Sequence, residues 1–419
     1  MIGERALEAL RGAAGESAVL EHDPICLDGV KIGFTLAPAD PDRLAATLAC
    51  CREHGVGLLV RGGGNRIGVG NRPDESAAAW LSTAALASEC RVEADEGVAW
   101  VSAATPVAEL ASAAREAGWL SPLEPSGPTS TVGGALATAI AGPRALGLGR
   151  ARDVALGLEV ALASGERTRC GARVVKNVSG YDLVKLYLGS FGTLGVITGG
   201  WLRLRPLPET VRTLLAQRID APEAVAQEVA RRPSARAVAW VGSALGERVG
   251  ARPGTACMLA EFAGDAAVVD EAEAFLRERA EVVPAPEGAV ESLRDLVRDS
   301  DLGSLVFRVA APPSAFADLR ARLRDAGART ITHPGLGQLI AGFPLQREDE
   351  AAADEACRAV GSALAGLDGH AVLERAPSWA KEGRDVFDAR AETLPLMRAL
   401  KREFDPDRIL NPGRFVGGL

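Results

Sequence analysis

Through roughly the first 200 residues, short apolar runs alternate with helical stretches, and glycine or proline punctuates nearly every change. Residues 33–37 read as a strand. Asp40 then caps a helix that has Pro41 at its first position. Leu44, Leu48 and Cys51 recur at helical spacing until Gly55 ends it. Leu58, Leu59 and Val60 form a second apolar strand, closed by Arg61 and followed by Gly62, Gly63 and Gly64. This strand–helix–strand unit places a glycine loop at the carboxyl end of its second strand, where α/β proteins tend to hold ligands. Residues 98–103 read as a strand, and Thr105-Pro106 opens a helix that ends at Gly118. Pro122, Pro125 and Pro128 then keep the chain extended. Gly133-Gly134 opens a helix of small residues, 135–141, that ends at Gly142-Pro143. Residues 153–163 read as a long strand, turned at Ser164-Gly165-Glu166 into a hairpin. Residues 174–182 lead into a helix, and residues 190–198 are a glycine-flanked turn into a strand ending near Pro206.

Beyond Pro206–Pro208 glycine thins out, and arginine-rich amphipathic helices alternate with short strands. Strands are predicted near 211–217, 237–241, 257–262 and 305–310, and helices near 222–232, 266–280, 288–299 and 313–327. That alternation predicts an antiparallel sheet with helices on one face. His333 precedes a further apolar strand. Residues 394–404 form an amphipathic helix stopped by Asp405-Pro406, and the chain ends in a constrained Asn411-Pro412-Gly413 turn. An apolar, ordered tail of this kind is expected to dock back on the first domain. The expected organisation is 1–206, 207–375 and a returning segment 376–419.

The 419 residues suffice for two or three domains. With 47% hydrophobic and 24% charged residues, the composition is that of an ordinary globular protein. A net charge of −8 and only 4% aromatic residues argue against a nucleic-acid partner. The seven cysteines show no CxxC spacing, so neither a metal site nor an iron–sulfur cluster has sequence support. Scattered thiols in odd number fit a reducing cytoplasm. No signal peptide and no membrane span are expected, since no apolar run reaches ~18 residues.

The glycine loop carries the chemistry. Bare glycine backbone exposes successive N–H groups, and a nest of these binds a diphosphate. The usual dinucleotide and P-loop patterns do not fit, because Ile67 stands where a third glycine would be needed and Val69 follows Gly68 where lysine should stand. The residues alone are equally compatible with a ligand-free glycine turn. The N-terminus of the small-residue helix is a second candidate anion seat, although an alanine-rich packing helix explains it as well. Tyr181, one of two tyrosines, either fills a core or lines a ring-binding cavity.

Together these stretches resemble the vanillyl-alcohol oxidase type of flavoprotein, the PCMH fold. The likeness rests on Arg61-Gly62-Gly63-Gly64-Asn65 through Gly70, on Pro125–Gly134, on Gly192–Ile197, and on the tail from Asp405 to Gly413. Within that group, Gly142-Pro143-Arg144, Lys176–Asp182 and the terminal Asn411–Gly418 are similar to the FAD-binding E subunits of bacterial glycolate oxidases. The resemblance implies an α+β architecture: a PCMH-type FAD-binding domain of two α/β subdomains, plus an α+β cap domain with an antiparallel sheet. It implies non-covalent FAD, held by Arg61, Gly62, Gly63, Gly64, Asn65 and Gly68 at the pyrophosphate. Pro125, Ser126, Thr131, Gly133, Gly134, Gly192, Thr193, Gly195, Val196, Ile197 and Asn411 would lie along the remainder.

The cap of related D-2-hydroxyacid dehydrogenases carries a histidine-rich metal motif. Here His333-Pro334-Gly335-Leu336-Gly337-Gln338 stands in roughly that place without the second histidine, so no metal is expected. The resemblance implies oxidation of a small 2-hydroxy acid to the 2-oxo acid by hydride transfer to flavin. It also implies flavoprotein and iron–sulfur partner subunits, a cytoplasmic location, and membrane association only through those partners. If the chain is instead a stand-alone dehydrogenase, His333, Arg308 and Arg375 are the candidates for the substrate carboxylate, with Tyr181 beside them. A non-catalytic flavin-fold scaffold is the third reading.

Overall fold

A computed structural model of the chain describes residues 2–173, 181–346, 349–388 and 390–419. The predicted lead into the helix at 174–180, with most of the Lys176–Asp182 likeness, lies outside the described residues. The chain divides into two compact units. The first comprises Met1–Ile140, Arg150–Pro206 and Lys381–Leu419, and the second Ala141–Gly149 and Leu207–Ala380.

The first unit holds two principal sheets. One has four strands in the order Val19–Leu27, Val30–Leu36, Ala77–Ser82, Gly57–Arg61. Its outer hairpin is antiparallel, and the other two pairings are parallel. The helix Pro41–Glu53 starts where Asp40 Oδ1 accepts the N–H groups of Asp42 at 3.0 Å and Arg43 at 2.8 Å. Its apolar stripe of Leu44, Leu48 and Cys51 packs with Leu36, Leu58 and Leu81. The second sheet is antiparallel throughout, in the order Cys90–Glu93, Val98–Ser102, Val196–Arg203, Ala155–Ala161, Arg167–Gly171. It shares a core with Leu110, Leu136 and the buried Tyr187. The strand expected from 153 begins only at Ala155, after the helical turn Ala151–Val154. The small-residue helix spans Val132–Thr138, ended by Ala139 in the left-handed region at φ 48°.

The tail joins this unit through buried polar contacts. Leu58 donates its N–H to Ile409 at 2.7 Å, and Asn411 donates to Leu58 at 2.8 Å. Lys401, on the helix Leu394–Phe404, is buried with Asp405. Its Nζ donates to Asp405 Oδ2 at 2.7 Å and to the carbonyls of Thr193 and Leu410, each at 2.9 Å. Asp405 in turn accepts the N–H groups of Ile409 and Leu410. Burial pulls the Lys401 ammonium below its usual range, and Asp405 opposes that pull.

The second unit is built on an eight-stranded antiparallel sheet, in the order Glu281–Pro284, Thr210–Gln217, Cys257–Gly264, Ala235–Val241, Arg329–His333, Gln338–Phe343, Leu305–Ala310, His370–Arg375. Helices Pro222–Ala230 and Ala266–Arg277 pack on the face bearing Leu214, Val238, Met258 and Phe262. The expectation of helices on one face only is corrected here. Helix Ala289–Asp295 covers the opposite face, against Leu215, Ala239, Val241 and Leu259. Alternate residues of the central strands are apolar on both sides, so each face needs cover. The segment Ala141–Gly149 is pinned into this unit by Arg144, which donates to both oxygens of Glu261 at 2.8 and 2.9 Å and to Glu291 at 2.7 Å. Burial alone would raise the Glu261 carboxyl, but Arg144 and Arg236 hold it below the usual carboxylate range.

Removing the buried ammonium leaves Asp405 uncompensated at 0% exposure. Lys401→Met is therefore expected to destabilise the full chain by about 3–5 kcal/mol. Chemical denaturation checks this; a loss of less than 1 kcal/mol contradicts it.

Candidate cofactor site

A cleft of about 910 Å³ lies around the loop that follows Gly57–Arg61. The loop is shaped by a close approach. A Cβ on Gly63 would lie 1.5 Å from the Thr129 carbonyl oxygen, and one on Gly62 would lie 2.3 Å from Thr131 Oγ1. Thr129 Oγ1 donates to the Gly63 carbonyl at 2.9 Å, and Asn65 Nδ2 donates to Ser130 Oγ at 3.0 Å. Two loops 66 residues apart thus interlock with no room for a side chain. Only Gly64 of the three takes a positive φ, at 77°. The glycine run is therefore required mainly by packing, with left-handed backbone at one position. The N–H groups of Gly63 and Gly64 have no acceptor among the described residues.

The second loop behaves differently from expectation. Thr131 caps the helix Val132–Thr138, accepting the Gly134 N–H on Oγ1 at 3.3 Å. Val132 and Gly133 donate to the carbonyls of Thr105 and Ala103. The first three amides of this helix are spent within the protein, which corrects its reading as an anion seat. Small residues matter here for proximity, since a Cβ on Gly133 would meet Ala103 at 2.6 Å.

Asn411 completes the cleft from the tail. Its Oδ1 accepts the Val60 N–H at 2.8 Å, and its Nδ2 donates to the Phe191 carbonyl at 2.7 Å. Phe191 sits at φ 54°, costly for a residue with a large side chain. The Asn411 bond and ring contacts to Phe387 and Phe415, at 5.4 and 5.6 Å between centroids, hold it there. Of the residues predicted for the cofactor, Arg61, Gly62, Gly63, Gly64, Asn65, Pro125, Thr131, Gly133, Gly134, Gly192, Val196, Ile197 and Asn411 line this one cleft, whereas Gly68, Ser126, Thr193 and Gly195 do not. The sequence reading missed Arg66, Ile67, Thr83, Ser130, Phe191 and Arg414 among the lining residues. The cleft contains three arginines and no acidic side chain, although the whole chain carries −8. Ser126 Oγ, next to the lining residue Pro125, is buried without a partner among the described residues. Unbonded amides and a cationic lining fit a dinucleotide diphosphate.

The weaker candidates are not among the residues that line this cleft. Arg308 donates to both oxygens of Glu374, at 2.6 and 2.9 Å, and to Gln338 at 2.9 Å. Arg375 donates to the carbonyls of Asp299 and Gly303. His333 is buried, with Nδ1 unpartnered among the described residues. Burial first, then the Arg308 charge, pushes its pKa down to about 4. Tyr181 fills neither a core nor a cavity, being 95% exposed. No group of His, Cys, Asp or Glu among the described residues could hold a metal ion.

A depressed histidine pKa means the unfolded chain binds more protons between about pH 6.5 and 4, so folding stability falls as pH drops through that window. His333→Gln should remove up to about 3 kcal/mol of that acid-side loss. An unchanged pH–stability curve contradicts it. Gly63→Val should abolish FAD retention, whereas Gly64→Ala, with open space around its Cβ but a positive φ, should cost only about 1 kcal/mol of stability. Flavin content and thermal unfolding check both; a Gly63→Val protein that keeps its full flavin contradicts the packing argument.

Comparison with known proteins supports the assignment. Residues 33–171 match the FAD binding domain family, and residues 381–415 match the FAD linked oxidases C-terminal domain. A D-lactate dehydrogenase of Archaeoglobus fulgidus is 32% identical over 409 residues, covering 91% of each chain. Glycolate oxidase subunit GlcD of Bacillus subtilis is 35% identical over 44% of this chain and 40% of its own length. Glycolate oxidase subunit GlcE of Escherichia coli is 39% identical over 26% of this chain and 32% of its own. Among solved structures, p-cresol methylhydroxylase aligns with a TM-score of 0.69 at 15% identity, covering 98% of this chain and 96% of that one, a likeness of fold. With interlocked glycine loops, an acid-free cleft and a relative matched along nearly its whole length, this chain belongs to the FAD-linked oxidoreductases of the PCMH-type fold.

Proposed function

We propose that the chain oxidises a small 2-hydroxy acid to the 2-oxo acid, as the FAD-binding subunit of a glycolate oxidase-like assembly with flavoprotein and iron–sulfur partners. The observation that carries the cofactor part is the arginine-lined cleft, in which the Gly63 and Gly64 amides have no acceptor among the described residues. FAD, when bound, accepts the hydride leaving the substrate's α-carbon. The protein's own work is to seat the diphosphate on the loop amides and to fix the Phe191–Gly192 turn through Asn411. The subunit reading is favoured by Arg308, whose guanidinium fork is already neutralised by Glu374 instead of standing ready for a substrate carboxylate. It is also favoured by the stretch similar to GlcE. A stand-alone D-2-hydroxyacid dehydrogenase is the second reading, favoured by the likeness to a D-lactate dehydrogenase over 91% of both chains.

Anaerobic flavin absorbance separates the two. The isolated holoprotein, given glycolate or D-lactate, is expected to bleach little until its partner subunits are added. Rapid bleaching of the isolated chain by either acid overturns the subunit assignment and establishes the dehydrogenase.

A further inference from the structure

Behind the glycine loop lies a buried charge cluster that makes no use of the loop's N–H groups. Lys381 is 1% exposed and Arg414 5%. Both pair with one carboxylate: Asp28 Oδ2 lies 2.8 Å from Lys381 Nζ and 3.1 Å from Arg414 Nη1. Asp28 sits in the left-handed region, at φ 48°, in the turn between Val19–Leu27 and Val30–Leu36. The remaining donors go to loop carbonyls. Lys381 Nζ donates to Gly68 at 2.5 Å. Arg414 donates to Asn71 and Val69, each at 2.6 Å, and to Ile67. Nearby, Arg72 bonds the Asp28 carbonyl and pairs with the exposed Glu382, and Asp385 accepts from Asn71.

Two consequences follow. First, two buried cations share one buried anion, so a positive charge is left over beneath the loop. Second, four successive or near-successive carbonyls, at 67, 68, 69 and 71, point at these cations. The N–H groups across those peptides belong to Gly68, Val69, Gly70 and Arg72. Val69 donates its own to the Arg66 carbonyl at 3.0 Å, so what reaches the cleft is the field of the cations themselves, and Arg414 is one of its lining residues. Such a fixed charge costs desolvation in the empty protein. It is repaid when an anion arrives within reach of the same loop.

We propose that Lys381 and Arg414 are positioning residues whose buried charge acts across the loop as the counter-charge for the FAD diphosphate, and that Asp28 sets the size of that charge. The proposal rests on FAD being the cofactor and is independent of which acid is oxidised.

The test measures binding to the full-length apoprotein with FAD, ADP and adenosine as probes, alongside thermal unfolding of each apo form. Lys381→Met lowers the buried charge and is expected to weaken ADP and FAD by about tenfold or more, with adenosine unchanged. Asp28→Asn raises the buried charge. It is expected to be less stable than wild type yet to bind ADP at least as tightly, a combination that a merely structural role does not give. If Asp28→Asn weakens ADP as Lys381→Met does, or if adenosine weakens in parallel, the proposal is overturned. If Lys381→Met does not fold, Asp28→Asn alone still decides. A wild-type apoprotein that takes up neither FAD nor ADP overturns the cofactor assignment as well, which keeps the two failures distinct.

Discussion

The contact between Gly63 and Thr129 is the constraint on which the cofactor site depends. Two loops, one after the strand Gly57–Arg61 and one before the helix Val132–Thr138, meet so closely that a single methyl group would overlap a carbonyl oxygen. Bringing backbone against backbone leaves the Gly63 and Gly64 amides on the wall of a cleft with no acceptor of their own among the described residues. Gly63 is partly buried and Gly64 exposed, so these amides are open to a ligand's oxygens, and the arginines of the lining favour an anion there.

The tail is what holds that arrangement in place. Lys401 bridges Thr193 and Leu410, Asn411 bridges Val60 and Phe191, and Arg414 bridges Ile67, Val69 and Asn71. Each joins a residue near the end of the chain to a loop formed some 200 to 350 residues earlier. A site assembled from non-local contacts is rigid only when the last segment has docked, so cofactor binding and ordering of the tail are expected to be coupled. The same economy appears at Phe191, where a strained backbone is stabilised by one amide bond and two neighbouring rings.

Much of this was legible in the sequence, for local reasons. The Asp40-Pro41 start, the break at Gly55 and the hairpin at Ser164–Glu166 follow from capping and turn chemistry that act over a few residues. The cleft was legible because glycine clusters and their order along the chain mark where backbone must approach backbone. What was not legible depends on partners far apart. Nothing near Lys381 announces that it will be buried on Asp28, 353 residues away in the chain. Nothing near Gly133 shows that Ala103 and Thr105 will consume the amides expected to bind an anion. The glycine triplet was read as bare backbone that exposes N–H groups, yet the reason for Gly63 is Thr129, 66 residues away. The second face of the eight-stranded sheet was missed because strands with apolar residues on both sides lack the alternation that reveals a one-sided sheet. Arg308 looked like a free clamp because Glu374 lies 66 residues further on.

The most direct measurement is a crystal structure of the full chain with FAD bound. The account predicts diphosphate oxygens within hydrogen-bonding distance of the Gly63 and Gly64 amides, with the Gly63–Thr129 contact preserved. A diphosphate seated elsewhere, with those amides facing only solvent, would contradict it.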